Sequence, residues 1–265
     1  MTRRSLLFGF SALPVFAQSR QERGKKVVEG AIAGLGGSAF MGMEDRVEAG
    51  RAYSFYRERL SGLSHARIYT RYLTRPEPPR ADFFGLRERQ SFGKDKEDSA
   101  SLFTETGAWS ITYRGARPIA PEIVERFRDS TRRNVFYILR QRMGEPGLLI
   151  EHEGQDIVEN QPVDIINFTD SENKVVRVFF HTSTGLPTRQ EYVRRDEKTR
   201  DRFEEVTRFA KYRDVKGVQW PYQIQRERNG EKIFEIFSEE VRINVDLKDD
   251  LFTLSSKIKI LPPAR

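Results

Sequence analysis

The stretch from Gln161 to Val245 constrains this chain most. Its clearest piece sets Val218, Trp220, Tyr222 and Ile224 against Gln219, Pro221, Gln223 and Gln225. A period of two sends the first set to one face and the second to the other. A strand with one apolar and one polar face belongs in an antiparallel sheet with one side covered. Asn229-Gly230 follows as a tight hairpin turn. Turn-forming clusters at 170–173, 183–187 and 214–217 divide the rest of the stretch into further strands.

The preceding chain supplies two more kinds of segment. Residues 20–35 carry Val27, Val28, Ala31, Ile32 and Leu35 at helical spacing, and Gly36-Gly37 stops the helix. Residues 44–59, 66–72, 83–92, 101–106 and 109–113 read as a first set of four or five strands. Residues 118–143 break that pattern. Val124, Phe127, Thr131, Val135, Ile138 and Leu139 recur every three or four residues, which predicts one amphipathic helix of about six turns. Pro121 suits its first turn, and Glu122 and Arg142 match the ends of its dipole. The expectation is a mainly β fold with helices: a single strongly curved antiparallel sheet whose concave apolar face the long helix covers.

Residues 1–17 read as a secretory signal. Arg3 and Arg4 precede a short apolar run, and Val15-Phe16-Ala17 offers a cleavage site before Gln18. The Arg pair also fits a twin-arginine leader. The mature chain is then an exported, periplasmic single domain over 18–265. With no cysteine it holds no disulfide, thiolate nucleophile or Cys-based zinc site. The net charge is +7, with both signs interleaved. Interleaving describes a solvated surface rather than a nucleic-acid stripe, though contact with anionic lipid headgroups is compatible with it.

Chemistry-bearing residues are sparse. Histidines stand only at 65, 152 and 181. In Glu151-His152-Glu153 the histidine points away from both neighbours on a strand, so no metal or other cofactor is expected. No Gly-x-Ser-x-Gly occurs, and the chain reads as a non-enzyme.

Three segments together resemble the LolA-like superfamily, the periplasmic carriers of outer-membrane lipoproteins and their relatives. These are the Gly34-Leu35-Gly36-Gly37 helix end, the His181–Arg189 turn containing Thr184-Gly185-Leu186-Pro187, and the Tyr212–Pro221 hairpin containing Gly217. Leu251-Phe252 is similar to the superfamily's near-terminal pair. The resemblance implies an incomplete β-barrel lidded by helices, with acyl chains held inside. No ligand-contacting residue carries over from the superfamily; helical spacing and strand alternation make Val124, Phe127, Val135, Leu139, Trp220 and Tyr222 the expected apolar cavity residues, and the resemblance implies a lipid or acylated protein as partner, with outer-membrane lipoprotein sorting as one setting. The alternative is an envelope interaction module with a filled core, no cargo and an envelope protein as its partner.

Overall fold

The computed structural model describes residues 19–93, 97–196 and 199–263. The expected signal at 1–17 lies outside them. Among the described residues, thirteen strands form one antiparallel sheet that does not close into a barrel. Two meanders build it. The first comprises β1 (Asp45–Tyr56), β2 (Arg59–Tyr72), β3 (Leu86–Gly93), β4 (Ser99–Phe103), β5 (Ala108–Thr112) and β6 (Gly115–Pro118). The second comprises β7 (Leu149–Val158), β8 (Gln161–Thr169), β9 (Val175–His181), β10 (Pro187–Arg195), β11 (Arg202–Val215), β12 (Val218–Arg228) and β13 (Glu231–Ile243). Each meander pairs its strands in chain order, and β1 joins β13. The strands β6 and β7 are therefore the two edges, and the helical segment 121–142 connects them.

Alternation along the strands produces a covered face. Val218, Trp220 and Tyr222 join Phe168, Val178, Phe180 and Phe209 in the main core. Helix α1 (Arg20–Gly34) covers the β7–β8 end of that face, burying Val28 and Ala31. Ser19 and Glu22 close its start as a reciprocal capping box. Its C-terminal end meets two hairpin turns backbone to backbone. A Cβ on Gly34 would overlap the Thr184 carbonyl, and one on Gly36, at φ +119°, would overlap that of Gly217. The short helix α2 (Ser38–Met41) buries Phe40 beside them. The opposite face of β1–β6 is covered by the C-terminal segment, where Leu247 and Phe252 pack with Val47, Leu102, Ile111 and Ala116.

The helix expected across 118–143 is two pieces. Helix α3 (Pro121–Arg132) ends at Arg133, and α4 (Val135–Tyr137) runs into a π-helical turn over Ile138–Arg142. Two features cause the break. Asn134 adopts extended geometry and its side chain accepts from the Phe136 N–H, capping the new helix. The buried Gln190 of β10 then accepts from the Val135 N–H at 2.8 Å and donates to the Arg133 carbonyl at 3.3 Å. That amide takes over the hydrogen bonds a continuous helix would have supplied. Val135, Phe136, Tyr137, Ile138 and Leu139 are apolar on every side and all buried, whereas α3 buries none of its residues.

The position of α3 also reports the sheet's curvature. Phe127 stacks on Phe103 of β4 at 3.8 Å, while Asp129 lies 3.7 Å from Lys174 at the start of β9. In the strand order these are eight steps apart, nearly ~40 Å in a flat sheet at about 4.8 Å per step. Residues two apart on one helix reach both only because the sheet curls toward α3.

Candidate functional site

The structure gathers four of the six expected cavity residues and sets two apart. Val135 and Leu139 have no accessible surface and Trp220 is 2% exposed; Tyr222 lies in the same core. The Phe136 ring sits between Trp220, at 4.8 Å, and Phe209, at 5.1 Å. A side chain with no accessible surface borders no space that admits water, so the interior beneath α4 is packed at these positions. Val124 and Phe127 lie on α3, partly exposed. Phe127 contacts Phe103 face to face and Phe84 edge-on at 6.0 Å.

Open space lies beside α3 instead. A groove of about 1220 Å³ runs between Pro121, Glu125 and Asp129 of the helix and Lys174, Tyr192 and Arg194 of the sheet. Its lining mixes acids and bases with the apolar Val175 and Val193, which are 43% and 38% exposed. Ile123, on the neighbouring turn of α3, is 49% exposed. At the groove's end Arg133 donates to the Val193 carbonyl at 3.0 Å and stands 4.8 Å over the Tyr192 ring. Burial pushes the Tyr192 hydroxyl up, so it stays a neutral hydrogen-bonding group.

The floor under the hinge is fixed by buried ion pairs. Arg142 forks onto Glu145 at 2.7 and 2.8 Å, with both side chains 4% exposed, and also reaches Asp170 and the Arg132 carbonyl. Gln141 donates to the carbonyls of Leu73 and Gly85, and Arg140 to that of Met43 at 2.8 Å. The segment 135–145 is thus bolted to β2, β3 and the β8–β9 turn, and α3 is tied to it at its last residue, Arg132, which donates to the Phe83 carbonyl at 3.1 Å and to Glu145 at 3.1 and 3.3 Å.

A second polar group lies on the concave wall. Arg46 stands 4.0 Å over Trp220 and donates to Thr70, whose hydroxyl donates to Glu88. Glu48 accepts from Ser238. Burial pushes the Glu88 carboxyl up, opposed by the Gln90 amide, Arg46 and Thr70 and reinforced by Glu48. Burial likewise raises Tyr72 and lowers Arg140. Arg46 Nε and Trp220 Nε1 have no hydrogen-bond partner among the described residues.

The histidines do not converge. His65 is exposed on β2, His152 meets Asp164 at 2.9 Å beside α1, and His181 Nδ1 accepts from the Ser183 N–H. Among the described residues no group of three His, Cys, Asp or Glu is placed to hold a metal. Sequence reasoning missed Asn134 and Gln190, the residues that separate α3 from the core. Asn134 carried a signal: a capping residue directly before an unbroken apolar run. Gln190 carried none, because its partners lie 55 and 57 residues away.

No protein-family model matches the chain, and no curated protein is significantly similar to it. Solved structures do share its architecture. A DUF1329 family protein from Desulfovibrio piger superposes with a TM-score of 0.59 at 14% identity, covering 89% of this chain and 98% of that one. A domain assigned to outer-membrane lipoprotein sorting from Vibrio parahaemolyticus gives 0.56 at 13%, covering 88% and 97%. A LolA superfamily protein from Nitrosomonas europaea gives 0.55 at 12%, covering 90% and 99%. The fold is LolA-like.

Proposed function

We propose that the chain is a non-enzymatic, carrier-type binding protein of the cell envelope. Its cargo is a lipid, a lipoprotein acyl chain or another apolar group admitted beneath α3. One observation carries this reading: an amphipathic helix with no buried residue spans the mouth of the curved sheet, hinged at 133–134 to a segment that is fully packed. A helix so placed lifts without unfolding the core. Lifting it separates Phe127 from Phe103 and Phe84 and enlarges the existing groove. Each methylene of cargo that replaces those contacts contributes about 0.8 kcal/mol, so binding needs no dedicated polar motif. The similarity to the Vibrio and Nitrosomonas structures supports a role of this kind, including outer-membrane lipoprotein sorting.

The filled-core module has an observation of its own in the inaccessible Val135, Ile138 and Leu139. Tethering α3 separates the two. The native chain has no cysteine, so Asp129→Cys with Lys174→Cys gives a unique pair for a short bis-maleimide. The untethered double variant is expected to bind a fluorescent fatty acid, and the cross-linked form to bind it at least tenfold more weakly. Equal binding by both forms refutes entry beneath α3. No binding by the untethered form or the wild type favours the filled module.

A further inference from the structure

Near its turn the β1–β2 hairpin loses its pairing to both neighbouring strands. β13 pairs with β1 only as far as Ser54, and β3 pairs with β2 only from His65. Among the described residues, 55–64 therefore pair only with each other and form a two-stranded finger, with β13 running on beside it to Glu231. Its register sets Tyr53 opposite Leu63 and Phe55 opposite Leu60, so the four share one face. This is the face turned away from the helices, because the adjacent Ala52 packs on the inner side with Ile224 and Ile236. Phe237 of β13 continues the stripe, meeting Tyr53 edge-on at 5.9 Å.

The stripe is wet. Leu60 and Leu63 are each 58% exposed, and Tyr56, on the opposite face at the tip, is 67% exposed. Cations sit on its rings: Lys232, which also pairs with Glu235 at 3.0 Å, is 5.2 Å from Phe55, and Lys211 is 5.0 Å from Phe237; at the tip Arg57 is 5.3 Å from Tyr56. The turn is unusual as well. Arg57 and Glu58 both have positive φ, +48° and +60°, at positions that a tight hairpin normally gives to Asn and Gly. Long charged side chains are held at the apex at a conformational cost, which marks a place where a functional role is to be sought.

We propose that this finger docks the protein on an anionic lipid surface. Tyr56, Leu60 and Leu63 would enter the headgroup boundary while Arg57, Lys211 and Lys232 meet the phosphates. The stripe's chemistry favours a bilayer over a protein partner: two leucines, with an aromatic at the tip and cations beside them, is an interfacial composition, and the chain's net charge is +7. The cargo groove lies on the other side of the sheet, so docking and cargo binding are separately testable.

Vesicle flotation tests the proposal, using the full chain and a chain beginning at Gln18 that lacks the apolar leader-like run. Both are expected to float with vesicles containing phosphatidylglycerol and to float poorly with phosphatidylcholine alone. Leu60→Ser with Leu63→Ser should reduce partitioning about tenfold or more. Lys211→Gln and Lys232→Gln should each reduce it about fivefold at low salt. All four positions contact solvent, so the melting temperature serves as a check that the variants fold. Fatty-acid binding should survive in the leucine variant, which keeps this test independent of the cargo reading. A chain from Gln18 that ignores phosphatidylglycerol vesicles, floats equally on both lipids, or floats unchanged without the two leucines overturns the proposal. Protection of the finger by an envelope protein, with no vesicle binding, would reassign it to protein docking.

Discussion

Replacing Gln190 with leucine tests the hinge on which the carrier reading depends. The Gln190 amide is buried and holds the Val135 N–H and the Arg133 carbonyl at 2.8 and 3.3 Å. Leucine has similar volume, so it leaves little cavity but strands both backbone groups away from water. A buried group without a partner costs about 1–3 kcal/mol, so Gln190→Leu should destabilise the fold by roughly 2–5 kcal/mol. Urea denaturation followed by tryptophan fluorescence reads that loss, because Trp220 lies against Phe136 in the same core. Hydrogen exchange supplies the local readout: the Val135 amide should lose protection. In an unbroken helix Val135 would donate to Thr131 and Gln190 would be dispensable. A variant within about 0.5 kcal/mol of wild type, or a Val135 amide still protected, would show that α3 and the packed turn are one rigid rod. Entry beneath α3 would then have no hinge.

Two further substitutions probe the frame and the inner wall. Gly36→Ala sets a Cβ against the Gly217 carbonyl at a positive φ and should cost more than about 2 kcal/mol. Gly30→Ala meets nothing within 4 Å and should stabilise α1 by about 0.5–1 kcal/mol; thermal melts that ranked the two the other way would contradict the backbone packing at the helix end. Glu88 has a folded pKa raised by burial, so the folded state binds its proton more tightly than the unfolded chain. That preference is present in full below the ordinary carboxylate range and is lost as pH rises through the raised value. Glu88→Gln removes the penalty. Between pH 4 and 8 its stability should fall less with rising pH than that of wild type, and near neutrality it should exceed wild type by about 1 kcal/mol; parallel melting curves for the two proteins across that range would refute this reading.

The frame was legible in the sequence because its causes are local. Alternation at Val218–Ile224 fixed which side chains face inward, and Asn229-Gly230 turned the chain back on itself. The three motif segments that resemble the LolA-like superfamily meet at one point: the end of α1 touches the turns at Thr184 and Gly217 through backbone alone. A contact of that kind needs glycine, which explains why it shows in sequence. The candidate site was less legible because its causes are not local. Helical spacing runs unbroken through 133–134, and periodicity cannot register an amide arriving from β10. The groove draws its lining from α3, the β8–β9 turn and the β10–β11 hairpin, so no single stretch of sequence spells it. The same limit separates the two readings of function. An apolar face predicts that something covers it, and whether the cover is fixed or lifts is decided by the hydrogen bonds of a few residues at its hinge.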